Sequence, residues 1–186
     1  PPRWAHDGDA VGGDCMTCSI GFRAPQRGGL AGELLQRLGE DIDDPVLYQD
    51  PRQPATDMPA RMPAGMQAFA MAALQRALAR PEAVALALGE VMTEPKPAVW
   101  FEEPAQAWHP GALRLDRRTR MMYDTRFVFI NGEGIRAGGA DARLMRRLAD
   151  RRRLSAREVL GASEDAKALL GDWYEAGWLH RLPEDH

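Results

Sequence analysis

A proline-rich stretch, residues 94–112, divides this chain of 186 residues into two parts with different hydrophobic patterns. Its prolines are Pro95, Pro97, Pro104 and Pro110. Prolines at such short intervals interrupt both helices and strands, because each lacks a backbone N–H and has a restricted φ. The stretch is therefore predicted to be a linker and a domain boundary, with Trp100 and Phe101 as its aromatic anchors.

The composition is that of an ordinary soluble globular protein, with 45% hydrophobic residues, 27% charged residues and a formal net charge of −3. This near balance argues against a general attraction to nucleic acid or membranes. No apolar run approaches the roughly 18 residues that a membrane-spanning helix needs. The chain has 2 cysteines, which fits a reducing compartment. We therefore predict a cytoplasmic protein, and neither nucleic acid nor a membrane is an expected partner.

Residues 1–25 have the pattern of a β-hairpin. Gly12 and Gly13 supply the positive φ values of a tight turn. In the strand that follows, one face is apolar and the other is polar or small, which is a period of two. The apolar face has Met16, Cys18, Ile20 and Phe22, and the other has Thr17, Ser19, Gly21 and Arg23. With the loop-like start at Pro1-Pro2, this pattern predicts the last part of a β-barrel whose earlier strands and most of whose chemistry lie outside this chain.

Residues 28–93 are predicted to be helical. Apolar residues recur at helical spacing in two segments, namely Leu30, Leu34, Leu35 and Leu38, and then Met66, Phe69, Ala70, Ala73 and Leu74. A third helix begins at Pro81, which suits the first turn of a helix. This last helix is apolar nearly all round and needs cover on several sides. Three helices cannot easily supply that cover alone, so we predict a homodimer formed through residues 64–92.

Residues 113–186 follow a different order. Short strands are predicted at 113–115, 121–123 and 127–130, with Asn131-Gly132 as a hairpin turn. Three helices follow, one over 139–150, one opened by the capping box Ser155-Ala156-Arg157-Glu158 and one from Ser163 to a cap at Gly177. Trp173, Tyr174 and Trp178 are predicted to be core and cap residues. A closing strand at 178–182 completes an order typical of a winged helix.

The sharpest candidate for chemistry is His6, which is placed where a barrel strand would begin. A non-haem iron site of the facial type needs two histidines and one carboxylate, and no His-x-Asp or His-x-Glu pair occurs in this sequence. An ordinary surface histidine is the alternative. The Cys15-Met16-Thr17-Cys18 motif lies on a predicted strand, where residues three apart point to opposite faces. We therefore interpret these cysteines as structural rather than as a zinc or redox pair.

A basic cluster lies in the predicted winged helix. Its members are Arg143, Arg146, Arg147, Arg151, Arg152, Arg153 and Arg157. Such a cluster can bind nucleic acid. Because Asp141, Asp150 and Glu158 are interleaved with it, we favour a solvated face, or a surface close to protein or RNA, over specific DNA recognition.

Four motifs together resemble the bacterial ribosomal oxygenases, a family of JmjC-type cupin proteins. They are Pro1-Pro2-x-x-x-His6-x-Gly8, Ser19-Ile20-Gly21-Phe22-Arg23-Ala24-Pro25, Tyr48-x-Asp50-Pro51 and Trp173-Tyr174-x-x-Gly177-Trp178. The resemblance covers essentially the whole chain. It implies an α+β protein with the C-terminal edge of a cupin barrel over 1–27, a helical dimerisation region over 28–93, a linker over 94–112 and a winged-helix-like domain over 113–186.

The resemblance also implies a function. The family hydroxylates an arginine of a large-subunit ribosomal protein with Fe(II) and 2-oxoglutarate. By this resemblance His6 matches an iron ligand, and Thr17 and Ser19 line the pocket for 2-oxoglutarate. The remaining ligands would lie upstream of Pro1, so the chain alone is expected to be inactive. The alternative, from another class, is a non-catalytic dimeric winged-helix protein that binds nucleic acid or a ribosomal partner.

Overall fold

The computed structural model of this protein describes residues 24–182, together with Asp9, Gly12 and Gly13. This part of the chain forms six helices and six strands. The helices are α1 (Arg27–Glu40), α2 (Ala64–Leu78), α3 (Pro81–Thr93), α4 (Gly139–Arg151), α5 (Ala156–Leu160) and α6 (Glu164–Glu175). The strands are β1 (Leu113–Leu115), β2 (Met121–Tyr123), β3 (Phe127–Ile130), β4 (Glu133–Arg136), β5 (Arg153–Leu154) and β6 (Leu179–Arg181). The predicted mixture of helix and sheet is confirmed, whereas the predicted barrel edge lies outside the described residues.

The three helices predicted in the first part of the chain are all present. Pro81 occupies the first turn of α3, where its missing N–H has no helical partner to lose. Helix α1 packs against α3. Arg37 of α1 donates a hydrogen bond to the Glu94 carboxylate at the end of α3, at 2.8 Å. Between α1 and α2 the chain runs through residues 42–63 without a helix or strand.

Helix α3 also packs on an antiparallel sheet of order β2-β3-β4. All four residues of β3 are buried. Two glycines allow the close approach, because a Cβ on Gly89 would lie 2.2 Å from the Phe129 ring and one on Gly134 would lie 2.4 Å from Leu86. The cover of α3 therefore comes from α1 and from this sheet within the same chain. Part of the cover that was predicted to come from a second copy is thus supplied within the chain, although Leu88 stays 38% exposed.

The turn between β3 and β4 has the conformation that its sequence predicts. Asn131 and Gly132 have φ values of 46° and 93°, the left-handed region that a two-residue hairpin turn requires. The preceding turn, between β2 and β3, is held by Asp124, whose Oδ1 accepts hydrogen bonds from the backbone N–H groups of Arg126 and Phe127 at 2.7 Å each. The sheet is thus formed by local hairpins.

The second sheet joins strands that are far apart in the sequence. Its order is β5-β1-β6, with Leu113 opposite both Leu154 and Arg181, and all pairings antiparallel. Helices α4, α5 and α6 cover its inner face. The shared core contains fully buried side chains from strands and helices alike, namely Leu113, Leu148, Leu154, Val159, Leu170, Trp173 and Leu179. This unit is the predicted winged helix.

The helix ends in this unit follow the predicted local signals. Ser155 and Glu158 form the reciprocal capping box of α5. The Ser163 hydroxyl accepts the backbone N–H of Ala166 at the start of α6. Gly177, just after α6, has a φ of 74°. It lies so close to the Glu102 carbonyl that a Cβ would approach the oxygen to 2.3 Å.

The aromatic contacts of the proline-rich stretch differ in part from the prediction. Trp100 is 69% exposed and is not an anchor. Phe101 does pack, edge to face on Trp178. The second anchor is Trp108, which packs against the buried core and lies 5.5 Å from the Tyr174 ring. Sequence alone does not separate these tryptophans, because both lie in irregular backbone.

Candidate functional site

The residues predicted to bind metal and 2-oxoglutarate, His6, Thr17 and Ser19, lie outside the described residues, as do Cys15 and Cys18. Among the residues that are described, no group of three or more His, Cys, Asp or Glu side chains is placed to hold a metal ion. The sites that the structure does define are therefore surfaces of the winged helix and of α2.

The outer face of the β5-β1-β6 sheet carries a row of basic residue types, three arginines and one histidine. Leu113 and Leu115 of β1 are buried, so the intervening Arg114 lies on the opposite, exposed side. Strand register places Arg114 opposite Arg153 of β5 and opposite His180 of β6. Arg117 follows β1 and is also exposed. We call this group, Arg114, Arg117, Arg153 and His180, the sheet face.

An ion-paired network borders the sheet face. Asp116 is 7% exposed and accepts hydrogen bonds from Nε and Nη2 of Arg118, at 2.9 and 3.2 Å. His180 Nε2 lies 2.7 Å from the second oxygen of the same carboxylate. Hydrogen bonds from Arg118, and then from His180, hold the pKa of Asp116 well below its usual range despite its burial. Asp116 is therefore an anion at neutral pH, and its charge is matched within the network.

The predicted basic cluster is divided by the fold. Arg146 donates to the Thr125 carbonyl and stacks over the Tyr123 ring, and Arg152 donates to the Asp116 and Thr119 carbonyls. Arg147 pairs with Glu158 at 2.5 Å. These three arginines stabilise the winged helix itself. The exposed remainder is Arg143, Arg151, Arg153 and Arg157.

Glu158 belongs both to the capping box of α5 and to an ion pair with Arg147. Its carboxylate accepts the Ser155 backbone N–H at 2.8 Å and also accepts from Arg147. These hydrogen bonds, the Ser155 backbone first, lower the pKa of Glu158 to about 2. Arg143, Arg147 and Arg157 line a shallow cavity of about 330 Å³ next to Glu158 and Asp141. Both signs of charge meet there, so the cavity has no strong preference for an anion.

Helices α5 and α6 have the arrangement of a helix-turn-helix pair. The turn between them contains Gly161, a common turn residue in such motifs. In DNA-binding examples the second helix enters the major groove. Here the second helix, α6, exposes four acidic residues, which are Glu164, Asp165, Asp172 and Glu175. A helix with this charge repels phosphate and is unsuited to that role.

Helix α2 exposes nearly all of its apolar side chains. Ala77 is its one buried residue. Its exposed large apolar residues are Met66 (42%), Phe69 (38%), Met71 (56%), Leu74 (48%) and Leu78 (53%). We call these five residues the α2 surface. Arg76 is the one charged residue in the helix, so the α2 surface has the composition of an interface core rather than of a solvated helix.

Sequence reasoning missed the sheet face, although the signal for it was present. The Leu-Arg-Leu pattern of 113–115 alternates as a half-buried strand does. What the sequence did not contain was the pairing that puts Arg114 beside Arg153 and His180. Along the chain Arg114 is 39 positions from Arg153 and 66 positions from His180.

Comparison with known families identifies the fold. A family model described as ROXA-like winged helix matches residues 72–180. Since that match covers more than half of the chain, the protein belongs to the ROXA-like winged-helix family. A comparison with curated protein sequences finds no match.

Solved structures agree with this assignment. The chain is similar to E. coli ycfD, with a TM-score of 0.69 and 19% identity over 87% of this chain and 46% of that chain. A structure of YcfD described as a ribosomal oxygenase in complex with cobalt and 2-oxoglutarate gives a TM-score of 0.68 and 22% identity, over 87% and 47%. The chain thus spans about half the length of these relatives. The resemblance to the ribosomal oxygenases is confirmed at the level of family and fold.

No helix in residues 24–182 combines the length and the apolar character needed to cross a membrane.

Proposed function

We propose that this chain is the C-terminal part of a cytoplasmic ribosomal oxygenase, a dioxygenase that uses Fe(II) and 2-oxoglutarate to hydroxylate an arginine of a large-subunit ribosomal protein. The observation that carries the proposal is the family match over residues 72–180 together with a similar fold in YcfD structures, one of which holds cobalt and 2-oxoglutarate. In this proposal residues 1–27 are the edge of a cupin (JmjC) barrel. The remainder supplies a dimerisation region and the winged helix.

The proposed chemistry depends on residues at the start of the chain. A ferrous ion held by His6 and by ligands from the rest of the barrel would, with 2-oxoglutarate as the co-reductant, activate O₂ for hydroxylation of a C–H bond. His6 has the side chain most often used to bind a metal. The hydroxyls of Thr17 and Ser19 can donate hydrogen bonds to a carboxylate. One imidazole cannot hold the ion alone, so the chain by itself is proposed to be inactive.

The test uses the longer protein that contains the complete barrel. Replacing His6→Ala should abolish turnover of 2-oxoglutarate, measured as succinate formed in the presence of Fe(II) and the ribosomal-protein substrate. The matched control is His109→Ala, in the proline-rich stretch, which should retain turnover. Retained turnover in the His6 variant would contradict the proposed ligand. Turnover by residues 1–186 alone would contradict the proposed inactivity of this chain.

The second part of the proposal is a homodimer within the predicted range 64–92. The α2 surface supports it, because an apolar patch of Met, Phe and Leu with a single nearby charge matches the side chains enriched in protein interfaces. Burying such a patch is favourable by about 25 cal/mol for each Å² removed from water. A second copy of the same helix is complementary to it, since apolar surface needs no opposite charge.

Light scattering or sedimentation equilibrium tests the dimer. Leu74→Glu should convert the dimer to a monomer, because it would bury an unpaired carboxylate in the interface. The matched control is Leu160→Glu, at a leucine on α5 that is 59% exposed, and it should leave the dimer intact. A wild-type protein that is monomeric at micromolar concentration would refute the dimer, as would a Leu74→Glu variant that stays dimeric.

A further inference from the structure

We propose that the sheet face binds the phosphate backbone of single-stranded RNA. This interaction goes beyond the oxygenase function, because it needs neither the metal nor 2-oxoglutarate. The choice of RNA as the polyanion rests on the proposed ribosomal role, whereas the anion-binding character of the face rests on its geometry and charge.

The geometry of the face suits an extended chain of phosphates. Arg153, Arg114 and His180 stand side by side on three neighbouring strands. Strands are about 4.8 Å apart, so the row spans roughly 10 Å. A shallow cavity of about 310 Å³ adjoins the row, and its polar lining is Arg114, Arg117, Arg118 and His180 together with the ion-paired Asp116. A row of donors with an adjoining cavity can contact successive phosphates along one strand.

The charge of the face is strongly positive. Arg114, Arg117 and Arg153 are exposed, and none of them forms an ion pair with a carboxylate within residues 24–182. The carboxylate of Asp116 is already matched by Arg118 and His180. Glu102, in the proline-rich stretch, also raises the pKa of Arg118, but Asp116 raises it more. The three exposed arginines therefore remain available for phosphate.

An aromatic side chain lies next to this face. The guanidinium of Arg118 lies over the Phe101 ring, 5.6 Å from its centre. Trp100 precedes Phe101 directly and is 69% exposed. We infer that Trp100, next in sequence to the ring that Arg118 covers, supplies an exposed aromatic side chain on which a base of a single strand can stack. A duplex offers no unstacked base, so this pairing favours a single strand.

The winged helix thus has two oppositely charged surfaces. The exposed side of α6 is acidic, which argues against the duplex recognition usual for this motif. The sheet face, in contrast, carries Arg114, Arg117 and Arg153 as exposed side chains. The near-neutral net charge of −3 conceals this separation. For that reason the expectation of no nucleic-acid partner, which rested on overall charge, does not bear on the sheet face.

The test measures fluorescence anisotropy of a labelled single-stranded RNA of mixed sequence with the full chain. The variant is Arg114→Glu/Arg153→Glu, and the matched control is Arg143→Glu/Arg157→Glu on α4 and α5. Wild-type affinity should fall as salt rises from about 50 to 200 mM. The sheet-face variant should bind at least about tenfold more weakly and lose about 1.4 from the salt slope, or roughly 0.7 for each phosphate contact. The control should match the wild type.

A second variant separates stacking from charge. Trp100→Ala should weaken RNA binding by about fivefold or more and leave the salt slope unchanged. Thermal melting of every variant checks the fold, and Arg114→Gln/Arg153→Gln replaces the charge reversal if that variant unfolds.

Four results would overturn the proposal. They are no RNA binding by the wild type at about 50 mM salt, equal losses in the sheet-face variant and its control, tighter binding of duplex DNA than of RNA, and binding of polyglutamate without binding of RNA. The last would assign the face to an acidic protein segment. None of them affects the His6→Ala test, so failure here and failure of the oxygenase function are distinguishable.

Discussion

Helices α2 and α3 are neighbours in the chain with similar apolar sequences, but α3 is largely covered by the rest of the chain and α2 is largely exposed. Helix α3 buries Ala87, Gly89 and Thr93 and has most of its remaining residues half-buried. Helix α2 buries Ala77 alone. The difference shows that apolar composition predicts a need for cover without saying where the cover comes from.

The cover of α3 comes from a distant part of the sequence. Gly89 lies against Phe129 and Leu86 lies against Gly134, across some 40 residues that include the proline-rich stretch. Thr93 at the end of the helix adds a buried hydrogen bond, since its hydroxyl accepts the Gly132 N–H at 3.1 Å. Within the described residues the Tyr48 ring reaches α2, at Phe69, but the large apolar side chains of this helix stay exposed. Its apolar side chains are left for a partner, which is the basis of the proposed dimer.

The largest effect is expected from removing the ring that covers α3. Phe129→Ala should lower the free energy of unfolding by about 3–5 kcal/mol, because Phe129 is 3% exposed and its loss leaves a cavity. Phe69→Ala on α2 is the matched control and should cost less than about 1.5 kcal/mol, since it loses one aromatic contact with Tyr48. Urea denaturation of dilute protein measures both. Equal losses would show that the two helices are equally buried.

A smaller effect is expected from crowding the same contact. Gly89→Ala should lower the free energy of unfolding by about 1–3 kcal/mol, because the new methyl group overlaps the Phe129 ring. The matched control is Gly32→Ala in α1, where nothing lies within 4 Å of the added Cβ. That variant should gain up to about 1 kcal/mol from helix propensity. A neutral Gly89 variant would mean that α3 is not pressed against the sheet.

The smallest effect on stability is expected at Glu90, an acidic residue of α3 that lies near Arg37 of α1. Burial raises the pKa of Glu90, although Arg37 lowers it in part. Folding therefore disfavours the carboxylate at neutral pH, and Glu90→Gln should stabilise the protein by up to about 0.5 kcal/mol, a modest gain because Arg37 offsets part of the effect of burial. The pKa of Glu90 is higher in the folded than in the unfolded state, so the wild type regains stability as the pH falls through the folded pKa. The difference in unfolding free energy between Glu90→Gln and the wild type should therefore disappear by the ordinary pKa of 4.5.

Denaturation at a series of pH values measures this gap. Glu94→Gln is the control, since Glu94 pairs with the same Arg37 but its side chain is 57% exposed. It should not stabilise the protein at neutral pH. A gap for Glu90→Gln that is unchanged down to acidic pH would contradict the burial of this carboxylate.

Much of the fold was predictable because its signals are local. Asn131-Gly132 determines a turn through backbone sterics, Ser155 and Ser163 begin helices through their own hydroxyls, and Pro81 begins one through its fixed φ. These effects act within four residues, so they can be read along the chain. The family resemblance was carried in the same way, by short motifs.

The candidate site was less predictable. His6, Thr17 and Ser19 came from resemblance and stay predictions. Trp100 and Trp108 have similar sequence surroundings, and only Trp108 packs against the Tyr174 ring and is partly buried. The arginines of 143–157 formed one cluster in the sequence, but the fold turns some inward as structural partners and leaves others on opposite surfaces.

The sequence by itself determined the helices, the hairpin, the caps and the family, since each depends on side chains and backbone a few residues apart. Only the tertiary structure decided that α3 is covered and α2 is open, that Asp116 meets His180 across 64 positions, and that Arg114 stands beside Arg153. The physical reason is that burial and electrostatic pairing are sums over neighbours in space. Those neighbours are known only after distant strands have paired.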